Sequence, residues 1–113
     1  MKSSDIQFKV EVDDNNIPEK INWSATDSPT GELTETDAIA LSIWDKAQKN
    51  TLRIDLWTKE MNVPDMKRFA VDSIGGLAQT IESATGDSKM AEMMNDLCRT
   101  LVKHINKEME SQN

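Results

Sequence analysis

A single cysteine, Cys98, and a single histidine, His104, serve the whole chain. One cysteine excludes an intramolecular disulfide, and one of each is too few for the Cys/His sets that zinc favours. Tyrosine is absent, and three Trp with two Phe make up the aromatic content, so each aromatic side chain carries more weight. No run approaches the ~20 apolar residues needed to span a bilayer. After Met1-Lys2-Ser3-Ser4-Asp5 a polar–apolar alternation stands where a signal peptide would place an apolar run. The expected location is therefore the cytoplasm. Positive charge is also short: the formal net charge is −7. That argues against nucleic acid, whose phosphates need a basic patch, and against anionic membrane surfaces. Residues 1–62 hold twelve acids and seven bases, and residues 63–113 hold eight and six, so the acidic excess is uneven.

At 113 residues the length fits a single domain with one core. Ile6, Phe8, Val10 and Val12 alternate with Gln7, Lys9 and Glu11, the period-2 pattern of a strand with one buried face. Asp13-Asp14-Asn15-Asn16 is a turn, because Asx side chains bond their own backbone and tolerate left-handed conformations. Ile21, Trp23 and Ala25 form a second alternating run, followed by a loop over residues 26–32 with Pro29 and Gly31. Ile39, Leu41 and Ile43, then Leu52, Ile54 and Leu56, alternate on either side of Gln48-Lys49-Asn50, which predicts a β-hairpin. Residues 36–47 also admit a helix capped near Thr34–Asp37, but the alternation favours strand.

The period changes after Met61. Pro64 suits a helix start, and Met66, Phe69, Ala70, Ile74, Leu77 and Ile81 recur at helical spacing. Gly86 suits its end. A second helix, capped by Asp87 or Ser88, presents Met90, Met94, Leu97, Leu101 and Ile105, flanked by Met93 and Cys98. Lys103, His104 and Lys107 are placed to complement its macrodipole, and residues 108–113 are expected to fray. The prediction is one α+β domain over residues 1–113. It comprises a four-stranded antiparallel sheet at about residues 5–60, then amphipathic helices at about 63–85 and 88–109 packed on one face.

A search for chemistry along this scaffold finds none. Cys98 and His104 are six residues apart on one helix, about 240° around it, so they cannot face each other as nucleophile and base. Cys98 is expected to be a small buried hydrophobe. The Asp13–Asn16 turn lacks the glycine and distal glutamate of a calcium loop. Gly75-Gly76 is not a phosphate loop, because no Lys-Ser/Thr follows. Two glycines inside a helix cost about 1 kcal/mol each relative to alanine; close approach of a neighbouring element would offset that, and a hinge is the alternative. No catalytic residue, cofactor or metal is assigned.

The hairpin carries the informative feature. If Ile39, Leu41, Ile43, Leu52, Ile54 and Leu56 face the helices, then Ala40, Ser42, Trp44, Arg53, Asp55 and Trp57 face outward. Trp and Arg are favoured anchors of protein interfaces. Trp44, Arg53, Asp55 and Trp57 are therefore candidate protein-binding residues. Cover by the loop at 26–37 or by a second copy of the chain is the other account of that face.

The same segments resemble the GldC family of gliding-motility proteins of Bacteroidetes. The likeness runs through DNNIPEKINWSA at Asp14–Ala25, SIWD at Ser42–Asp45 and LRIDLWTKEM at Leu52–Met61, and more weakly through VPDMKRF at Val63–Phe69 and the Met-rich second helix. The resemblance implies a cytoplasmic, non-enzymatic accessory factor of gliding, a process linked to type IX secretion, and it brings no catalytic residues with it. The expected partner is a protein of that machinery or a second copy of this chain, with neither nucleic acid nor membrane insertion. The alternatives are a homodimeric scaffold and a carrier of a small molecule or lipid in a cavity between sheet and helices.

Overall fold

A computed structural model describes residues 2–29 and 31–111. Thr30, within the expected loop at 26–32, and the last two residues of the expected frayed end lie outside the described residues. The chain divides into two compact units, Met1–Asn62 and Val63–Asn113, at the point where the hydrophobic period changes.

Among the described residues the first unit holds five strands: β1 (Ile6–Val12), β2 (Pro18–Ala25), β3 (Thr34–Thr36), β4 (Ala38–Asp45) and β5 (Asn50–Trp57). They form two antiparallel sheets, β1-β2-β3 and β4-β5, where a single four-stranded sheet was expected. The cause is a bend at Asp37. Before it, Thr34–Thr36 pairs with Trp23–Ile21 of β2; after it, Ala38–Asp45 pairs with Trp57–Asn50 of β5. Thr58, itself buried, holds the bend in place. Its amide donates to the Asp37 carbonyl at 2.9 Å, and its hydroxyl to Asp37 Oδ1 at 3.3 Å. One nearly continuous strand thus changes partner at a single residue.

In the three-stranded sheet β2 is central. Ile21 lies between Val10 and Thr36, and Trp23 between Phe8 and Thr34, so the two apolar rows cross the sheet on one face. The register of β1 and β2 shifts between Glu11 and Val12, opposite Pro18, which has no N–H to give to a regular ladder.

Asp13 organises the turn that follows β1. Its Oδ1 accepts the amides of Asn15 at 2.8 Å and Ile17 at 3.0 Å, and Asn16 takes φ 63°, a conformation asparagine tolerates better than most residues. Asp13 also pairs with Lys59, just beyond β5, which reaches Glu19 at 3.5 Å as well. The Lys59 ammonium first, and then the backbone amides, hold the Asp13 carboxyl down from 3.8 to about 2. Because the folded value is depressed, the contribution of Asp13 is complete above about pH 4 and lost as the pH falls toward about 2. The urea midpoint should fall across that window, and Asp13→Asn should flatten the slope. Asp55 and Glu108, also lowered, by Arg53 and Lys67 respectively, keep their share in the variant, so the difference isolates Asp13. An identical slope in both proteins would refute the assignment.

The β4–β5 arm is paired end to end, from Ala38↔Trp57 to Asp45↔Asn50. The Asp45 carboxylate accepts the Gln48 amide at 2.7 Å, and Lys49 at φ 53° closes the connection. One face presents Ile39/Leu56, Leu41/Ile54 and Ile43/Leu52 as cross-strand pairs, with Ile43, Leu52 and Ile54 exposed.

The second unit is an antiparallel helix pair, α1 (Val63–Thr85) and α2 (Ser88–Ser111). Gly86 (φ 75°) ends α1, its amide reaching the Glu82 carbonyl at 2.9 Å. Asp87 caps α2 by accepting the Met90 amide at 2.9 Å. The helix runs on to Ser111 through part of the segment expected to fray, so Lys103, His104 and Lys107 stop short of its last turn. The faces agree with expectation in part. Met66, Phe69, Ile74 and Ile81 of α1 and Met94, Leu101 and Ile105 of α2 are partly covered as expected, whereas Leu77, Met90, Met93 and Leu97 are exposed, and among the described residues of the pair Ala78 and Ala91 are the buried ones. Along α2 the covered positions are Ala91, Met94, Cys98, Leu101, Ile105 and Glu108, a 3-4-3-4-3 spacing displaced to one side of the expected stripe. Cys98 donates to the Val71 carbonyl at 3.6 Å, and Lys67 to Glu108 at 2.7 Å, tying the two helices together along their length. A β-carbon built on Gly75 or Gly76 would meet nothing within 4 Å, so close approach does not account for that pair.

Candidate functional site

One face of the β4–β5 arm collects the four expected residues. Period-2 alternation puts Arg53, Asp55 and Trp57 on one side of β5, and the register sets Trp44 opposite Thr51, Ser42 opposite Arg53 and Ala40 opposite Asp55. The tryptophans stand at opposite ends of the face, separated by six residues, or roughly 20 Å. Trp44 is 66% exposed and Trp57 56%. Trp23, on β2, is half-buried.

Between the two indoles Arg53 is locked in place. Its Nε donates to Asp55 Oδ2 at 3.1 Å, its Nη2 to Asp55 Oδ1 at 2.7 Å and its Nη1 to Ser42 Oγ at 2.6 Å. The two-pronged pairing lowers the Asp55 carboxyl below the usual carboxylate range and raises the Arg53 guanidinium, the Asp55 hydrogen bond being the main cause in the latter and the Arg53 hydrogen bond in the former. Both groups remain about half exposed, so water screens the pair and it adds little to stability. Its effect is geometric: a long side chain is held along the face in one arrangement.

Residue alternation could not reveal a pocket at the Trp57 end. Asn16, Ile17 and Pro18, from the start of β2 and the turn before it, meet Asp55, Leu56 and Trp57 around a cavity of about 300 Å³. The only advance signal was that both segments carry the family resemblance. The lone histidine and the lone cysteine both lie in α2 of the helix pair. His104 is exposed, with Nε2 3.4 Å from Glu108 Oε1, while the Cys98 thiol is taken by the Val71 carbonyl. Among the described residues no group of three His, Cys, Asp or Glu could hold a metal ion, and no helix is long and apolar enough to cross a membrane.

A family described as gliding motility-associated protein GldC-like matches residues 18–107. The chain belongs to that family. No curated protein and no solved structure matches it. The GldC-like match takes in β2, the whole β4–β5 arm and all of α1, so Trp44, Arg53, Asp55 and Trp57 all lie inside the matched residues. The resemblance to the GldC family is thereby shown, and it makes this a gliding motility-associated protein.

Proposed function

We propose that this GldC-like protein is a non-enzymatic, cytoplasmic accessory factor that docks a protein component of the gliding or type IX secretion machinery through Trp44, Arg53, Asp55 and Trp57. One observation carries the reading: two solvent-exposed tryptophans share a face with an arginine already fixed by Asp55 and Ser42. Burying an indole releases a large apolar area, and Trp and Arg dominate the small set of residues that hold interfaces together. The non-enzymatic part is supported by the dispersal of the reactive groups, since the thiol of Cys98 faces a carbonyl and the imidazole of His104 faces solvent. The single cysteine suits a reducing compartment.

The test is the double variant Trp57→Ala/Arg53→Ala, expressed in a gliding bacterium in place of the native chain. Gliding and capture of the motility component should both be lost, with protein level and far-ultraviolet circular dichroism unchanged. Gliding at the native speed, or a collapsed spectrum, would remove the docking face.

A further inference from the structure

The pocket beside Trp57 indicates what the docked partner must present. We propose that it receives one aliphatic or aromatic side chain of a protein partner whose neighbouring residue is Lys or Arg. This deepens the docking assignment and rests on it. A cavity of about 300 Å³ is at the bottom of the range for small-molecule sites, about 300–1,000 Å³, and suits a single anchoring side chain. Its apolar walls are Ile17, Pro18, Leu56 and Trp57, with Ile17 and Trp57 both exposed in the absence of a partner.

The charge around the pocket selects the neighbour. The lining segments, residues 13–19 and 53–59, hold four carboxylates (Asp13, Asp14, Glu19 and Asp55) against two cations, Arg53 and Lys59. Both cations are already engaged: Arg53 by Asp55 and Ser42, and Lys59 by Asp13 and Glu19. Asp55 stands on the pocket wall. Its two oxygens offer about four acceptor sites and Arg53 uses two, which leaves acceptors for an incoming N–H donor. Those two segments thus sum to two negative charges, and the charged residue on the lining itself is Asp55. A guanidinium or ammonium next to the anchoring side chain would find the Asp55 carboxylate beside the exposed Trp57 indole, and a cation over an indole is itself favourable. An acidic neighbour would meet the net negative charge of these segments and is disfavoured.

The experiment selects random twelve-residue peptides on the full chain, with the Trp57→Ala chain as counter-selection. The recovered peptides should share an apolar residue with Lys or Arg within two positions. Replacing that basic residue with glutamine should weaken binding by about tenfold, and raising the ionic strength should weaken it too. In nuclear magnetic resonance spectra the bound peptide should shift the Trp57 indole N–H and the Ile17 methyls and leave the Trp44 indole in place. Enrichment of neutral or acidic sequences, recovery of no binder, or shifts confined to Ile43 and Leu52 would each overturn the proposal. If gliding is lost in Trp57→Ala/Arg53→Ala while the peptide selection fails, the pocket assignment falls and the docking face stands. If that variant glides normally, the docking face falls first.

Discussion

Ile21→Ala is expected to be the most damaging conservative change in the sheet unit, costing about 2–5 kcal/mol. Ile21 is 0% exposed and is the largest fully buried side chain among the described residues. It sits on the central strand, flanked by Val10 on one side and Thr36 on the other, so a cavity left by truncation has a neighbour on each side that is fixed by its own ladder. Among the described residues the other buried apolar side chains are alanines, and no second large one shares the load. Set against a total stability of about 5–15 kcal/mol for a typical domain, that loss would lower the urea midpoint severely. Ile21→Val, which removes one methylene, should cost about 0.5–1.5 kcal/mol. The control is Ile6→Ala on the neighbouring strand, where the side chain is 68% exposed; it should stay within about 0.5 kcal/mol of the native protein. Equal effects at positions 6 and 21 would mean that burial of Ile21 contributes nothing.

The contrast between Ile6 and Ile21 also marks what could be seen in the sequence. Both belong to alternating runs, and alternation assigns a residue to a face without saying how far that face is covered. For the β4–β5 arm it was enough: Ile39, Leu41 and Ile43 against Leu52, Ile54 and Leu56 yields the two faces and the hairpin, and hence the common side of Trp44 and Trp57. The bend at Asp37 was not legible in the same way. It is held by Thr58, twenty-one residues further on, and the local segment Thr34-Glu35-Thr36 has no apolar alternation to mark β3 as a strand. The division into two sheets follows from that one long-range contact. Arg53 shows the same limit at the site. Its pairing with Asp55, two residues along the strand, could be guessed from spacing, whereas the hydrogen bond to Ser42 depends on the cross-strand register. The pocket at Trp57 brings together segments nearly forty residues apart, which no periodicity connects.

In the helix unit the large expected effect lies at two small residues. Ala91→Leu should destabilise the pair by about 1–3 kcal/mol through overpacking. Ala78 and Ala91 are each 1% exposed, and their places in the helix register are level. Val71 lies two turns before Ala78 on α1 and Cys98 two turns after Ala91 on α2, and those two are in contact at 3.6 Å. The periodicity picks Met90, Met94, Leu97, Leu101 and Ile105 and passes over Ala91, because hydrophobicity weights size. Helices that approach closely need short side chains at the crossing, which alanines at 78 and 91 supply. Ala78→Gly alone should cost about 1 kcal/mol through helix propensity. In the Ala91→Leu background it should recover part of the loss, because the space it opens faces the added side chain, and the two changes should therefore be less than additive. Met93→Leu, on the exposed side of α2, should be nearly neutral. Strict additivity of the alanine changes, or a neutral Ala91→Leu, would show that the helices do not cross at these residues.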